Sequence, residues 1–129
     1  MYRSAENNAR DAVRWVSDNP EAWGYLLKTV KWLNDHGKPV MRDSIYTRAA
    51  ESGVPITVTD QFMRDHNMWA VLARYMVMLD PSLLRCVRLR KSALDEIDLA
   101  SIWRERMDAP LAAESVKEAS EVANERLED

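Results

Sequence analysis

The spacing of apolar residues along this chain predicts a protein built mostly from helices. Ala5, Ala9, Ala12, Val13 and Val16 share one side of a helix that can start after Ser4 as N-cap and run to about Val16, where SDNP ends it. Asn19 then caps a second helix with Pro20 at its first position, where a missing N–H costs nothing, and Gly37 stands where a left-handed cap closes it. Its stripe of Trp23, Leu26, Leu27, Val30 and Leu33 is widened by Tyr25 and Trp32, so this helix is central or carries a second apolar surface. GKPVM reads as a short extended connector. Asp43 or Ser44 caps a helix to Glu51, stopped by Gly53, and VPITV follows as an ordered extended turn.

Residues 59–80, TDQFMRDHNMWAVLARYMVMLD, predict one long helix that changes character midway. Its first half, through Asn67, is polar, whereas from Met68 to Leu79 only Arg74 and Tyr75 are ionisable. The second half is therefore expected in the core and the first half presented outward, with Asp80-Pro81 closing the helix. LRCVRLRK reads as a strand, with Val87 and Leu89 on one side and Cys86, Arg88 and Arg90 on the other. SALD, with Asp95 in the place usual for Glu, looks like a capping box for a helix through Leu94, Ile97, Trp103 and Met107. A last helix follows Ala109-Pro110, with Val116, Ala119, Ala123 and Leu127 at helical spacing. Helix, extended piece, helix, turn, helix and strand is the order of a winged-helix or helix-turn-helix domain. The expected fold is thus mainly α: such a domain over residues 1–108 with a short β ribbon, and an acidic C-terminal helix over 109–129.

The sequence of 129 residues is long enough to bury a real core, and 47% hydrophobic with 30% charged residues is a globular composition. Three glycines and five prolines are few for a strand-and-turn architecture. Cys86 is the single cysteine, which excludes an internal disulfide and points to a reducing compartment. The start of the chain has no apolar run of the signal-peptide kind, and the apolar stretch 68–79 is too short to span a bilayer and contains an arginine. A cytoplasmic protein that avoids membranes is expected. The net charge of −3 is unevenly spread: residues 1–35 are neutral, 36–91 carry +4 and 92–129 carry −7.

The pieces NPEAW (19–23), LNDHGKPV (33–40), DHNMWAVLARYMV (65–77), DPSLL (80–84) and VRLRKSALD (87–95) together resemble small winged-helix-like accessory proteins of bacterial phages and mobile elements. The resemblance spans residues 19–95. It implies an accessory gene product of a phage or prophage and brings no catalytic residues with it.

Two kinds of binding surface follow. Gln61, Arg64 and Asn67 recur every three residues at the polar end of the long helix, with side chains that can pair with base edges, although Asp60 and Asp65 would repel phosphates. Arg85, Arg88, Arg90 and Lys91 are four cations in seven residues, sufficient to neutralise about three phosphates, or else charges that blunt an edge strand. These residues make double-stranded DNA the leading partner. Alternatively the protein binds proteins, as an inhibitor of host defence nucleoprotein complexes such as CRISPR machinery. Tyr25 and Trp32 would serve if exposed together rather than packed on the first helix. Glu114, Glu118, Glu121 and Glu125 would serve as a docking strip around a small-residue seam, for a partner helix or a second copy in a homodimer. Catalysis has little support. His36 and His66 lack a second ligand at metal spacing, Cys86 lacks an activating histidine nearby, and no phosphate loop occurs, so no enzyme, metal or cofactor is expected.

Overall fold

The computed structural model describes residues 4–41, 45 and 66–128. Five α-helices are described: α1 (Ala5–Asp18), α2 (Pro20–Asp35), α3 (His66–Leu79), α4 (Leu99–Arg104) and α5 (Val116–Glu128). Two 3₁₀ turns, Pro81–Arg85 and Ala93–Glu96, lie between α3 and α4. The expected helix over 43–52, the turn VPITV and the start of the long helix lie outside the described residues, apart from Ile45, which is helical and buried.

Local signals fix the helix ends. Ser4 accepts from the Asn7 amide at 3.1 Å and starts α1. Pro20 opens α2, but Asn19 makes no side-chain cap there; its amide instead donates to the Trp15 carbonyl of α1 at 3.0 Å. At the end of α2 the Lys38 amide donates to Leu33 and the Gly37 amide to Asn34, at 2.9 and 3.2 Å. That paired closure needs a left-handed residue, and Gly37 supplies it with φ 65°.

α3 is the axis of the molecule. Every residue from Val71 to Met78 is buried, as the apolar half of the stretch predicts. A helix buried on all sides needs neighbours all round: α1 and α5 pack against it, the Pro81–Arg85 turn folds back on it, and α4 lies against α1. The Met78 carbonyl, one of those left without a helical partner at the end of α3, accepts from both Ala112 and Ala113 at 3.0 Å. These bonds seat the segment leading into α5 on the central helix. An aromatic group fills the centre: Trp103 of α4 lies 4.9 Å from Tyr75 of α3 and 6.3 Å from Trp23 of α2, between ring centroids. Both buried polar tips are satisfied, Tyr75 by the Leu99 carbonyl at 2.9 Å and the Trp103 indole by the Ala109 carbonyl at 2.8 Å.

The winged-helix expectation with a β ribbon is overturned: all regular elements among the described residues are helical, and none is a strand. Residues 85–90 begin inside a 3₁₀ turn, because the Cys86 and Val87 amides both donate to the Leu83 carbonyl. A strand also requires a ladder, and the connector 38–41 supplies a single bond, from the Val40 amide to the Cys86 carbonyl at 3.0 Å. Cys86 faces inward rather than with the arginines, its thiol pointing at the Leu83 and Val30 carbonyls. The single helix expected from Ser92 to Met107 is also corrected. The capping box forms, but it starts only the Ala93–Glu96 turn; Ile97 is extended, and Asp98 caps a second start by accepting from the Ser101 amide at 3.1 Å. Two N-caps six residues apart divide one amphipathic pattern between two elements.

Trp103 and Trp32 make opposite predictions. Trp103→Ala should lower the unfolding free energy by about 3–5 kcal/mol, whereas Trp32→Ala, at a site 40% exposed, should cost about 1 kcal/mol or less. Urea unfolding of both variants checks this.

Candidate functional site

Four candidate residues lie together from the end of the first 3₁₀ turn to the start of the second. Arg85, Arg88, Arg90 and Lys91 are all exposed, while Cys86 and Val87 are buried and Leu89 is half-buried. Arg85 reaches back to the Ser82 carbonyl at 3.4 Å. No carboxylate among the described residues pairs with Arg88, Arg90 or Lys91.

The backbone beneath these cations is held by a residue that sequence reasoning left without a role. Arg74, on α3, is 1% exposed. Its guanidinium donates to the Asp95 carboxylate (3.1 Å), the Ala70 carbonyl (3.0 Å), the Arg90 carbonyl (2.7 Å) and the Ser92 hydroxyl (3.3 Å). The fork of donors thus ties the central helix to the end of the basic segment and to the cap that follows it. Asp95 completes the network with its other oxygen, which accepts from the Ser92 amide at 3.0 Å. Partial burial pushes the Asp95 carboxyl up, but the Ser92 amide and the Arg74 guanidinium act the other way and leave it below the ordinary carboxylate range. The signal for this site was present: an arginine inside an otherwise apolar helix must find a partner when it is buried.

Beside the segment lies a groove of about 490 Å³. Leu89, Leu94, Ile97, Leu99 and Val116 form its apolar lining, with Arg74 and Asp95 below. Arg90 and Lys91 of the basic segment, with Glu114, Ser115 and Lys117 from around the start of α5, complete the lining.

The remaining candidates are dispersed. Gln61 and Arg64 lie outside the described residues, as does the side chain of Asn67, although its backbone continues α3 without a break at Met68. Tyr25 is half-buried against the core, and Trp32 is exposed. Trp32 stacks on His36 with centroids 4.0 Å apart, and the Lys38 ammonium sits 5.5 Å from its ring centre. Within α5, Ala119 is fully buried and Val116 packs on the core, so the small-residue seam faces the protein itself. Glu114 is ion-paired with Arg104, and Glu118 accepts from the Glu114 amide at 2.7 Å. Glu121 and Glu125 are exposed. The Cys86 thiol is pushed up by burial, which suits a packed structural sulfur.

No family model matches this chain, and no curated protein or solved structure matches it significantly.

Replacing Asp95 by Ala leaves a buried guanidinium without its counter-charge and opens the Ser92 cap. The variant should lose about 2–3 kcal/mol at pH 7, discounted from the cost of a fully buried pair because Asp95 keeps contact with water. Since the folded-state pKa of Asp95 lies below its unfolded value, its contribution is complete above about pH 4 and vanishes as the pH falls through the folded value. Denaturant unfolding across the acid range should show the gap between wild type and variant closing in that direction.

Proposed function

We propose that this protein is a non-catalytic binding module that engages the phosphate backbone of duplex DNA through Arg85, Arg88, Arg90 and Lys91, in keeping with its resemblance to phage and mobile-element accessory proteins. The observation that carries the reading is a run of four exposed cations, none with an ion-pair partner among the described residues, on a backbone held by the buried Arg74. Exposed cations with no internal partner lose little when a phosphate replaces water, and a fixed backbone limits the ordering cost on binding.

Phosphate contacts of this kind position a protein without reading sequence. Base reading through Gln61, Arg64 and Asn67 would add selectivity from side chains outside the described residues. The rival reading, a protein-binding inhibitor of host defence machinery, has one observation in its favour. Glu121 and Glu125 project outward from α5 with no ion-pair partner among the described residues.

Affinity for a duplex should fall with salt at a logarithmic slope of about −3, for roughly three neutralised phosphates. Arg88→Glu combined with Arg90→Glu should abolish binding and leave the fold intact, because both side chains are exposed and the bond from Arg74 goes to the Arg90 backbone. Gel retardation over a salt series, with circular dichroism of the variant, measures both. Failure to retard any duplex at low salt would overturn the DNA reading in favour of protein binding.

A further inference from the structure

Binding to phosphate uses only the outward cations and leaves the apolar groove beside them without a role. We infer that this groove docks a linear peptide of a partner protein in which acidic residues flank aliphatic ones. The inference goes beyond the DNA reading and does not depend on it.

Charge complementarity identifies the occupant. Among the described residues two carboxylates line the groove, and each is already engaged: Asp95 by Arg74 and Glu114 by Arg104. Three flexible cations line it, Arg90, Lys91 and Lys117, and none has an ion-pair partner among the described residues. The free charge facing an occupant is therefore positive, although the surrounding segment 92–129 carries −7. The cations come from two separate elements, two from the segment after the first 3₁₀ turn and one from the first turn of α5. An occupant of the groove therefore meets positive charge from both elements.

The apolar part of the lining is aliphatic. Leu89, Ile97 and Val116 are half-buried, so they keep apolar surface that an incoming side chain can cover. A volume of about 490 Å³ is within the range of ordinary ligand sites and has room for one or two aliphatic side chains. Among the described residues no aromatic side chain lines the groove, so none of them offers the stacking platform that a splayed nucleic-acid base requires. The same cations with this floor thus favour a peptide over a single strand. The site is also pre-formed: Arg74 fixes the Arg90 carbonyl on one side, and on the other the Ser115 hydroxyl accepts from the Glu118 amide at 3.1 Å. Two locally capped elements hold the walls apart without an occupant.

The test titrates the isotope-labelled 129-residue protein with the peptide acetyl-Glu-Asp-Leu-Ile-Asp-Glu-amide and follows amide chemical shifts. Two control peptides replace either the acids by their amides or the Leu-Ile pair by serines. The proposal predicts saturable shifts centred on Leu89, Ile97, Val116 and Lys117, and at least tenfold weaker binding of both controls. Ile97→Ser and the exposed Lys117→Glu should each weaken the peptide at least tenfold while duplex retardation stays unchanged, so failure here and failure of the DNA reading are separable. Absent shifts, equal binding of all three peptides, or saturation of the same residues by a single-stranded oligonucleotide instead of the peptide would overturn it.

Discussion

A buried guanidinium organises the C-terminal half of this protein. Arg74 sits in the middle of an otherwise largely apolar, buried stretch of helix, where an unpaired charge would be strongly unfavourable. Its position is tolerable because four acceptors converge on it, and three of them belong to the segment Arg90–Asp95. The segment therefore has one placement in which the charge is satisfied. Alternatives that move it away strand the arginine, which makes the pair a device for specificity as much as for stability. Asp95 stays partly in water with its side chain 32% exposed, so the network spans from core to surface.

From that anchor the surface features follow in order. Fixing the Arg90 carbonyl to α3 turns the side chains of Arg88, Arg90 and Lys91 outward and leaves Leu89 facing the groove. The Ser92–Asp95 cap ends the basic segment and starts the turn that supplies Leu94 to the groove. Ala112 and Ala113, bonded to the end of the same helix, bring the first turn of α5 to the groove. Because Arg90 and Lys91 belong both to the cationic face and to the groove, an acidic peptide and a DNA duplex would compete for them.

Much of this was legible in the chain, and the division follows range. The Ser4 cap, the Gly37 closure, the stop at Asp80-Pro81 and the Ser92–Asp95 box are decided by residues within a few positions of each other, and each is found where the residue types call for it. The buried half of α3 was equally plain, since a run without charges other than one arginine has nowhere else to go. The ribbon was misread because alternation in VRLR matches a strand, while strand formation depends on a partner that local sequence does not specify. The break at Ile97 was missed because Asp98 competes with Ser92 as a cap, and periodicity alone continues through both. The partners of Arg74 lie 16 to 21 positions away, so the sequence could show that it needed them but not which they were.

The central claim is that the basic segment is a fixed feature of the fold and not a solvated loop. Backbone ¹⁵N relaxation of residues 87–95 in the free protein tests it most directly. If Arg74 holds the segment, its order parameters should match those of α3, at about 0.85. Values below about 0.6 across Arg88–Lys91, with α3 rigid, would contradict the account.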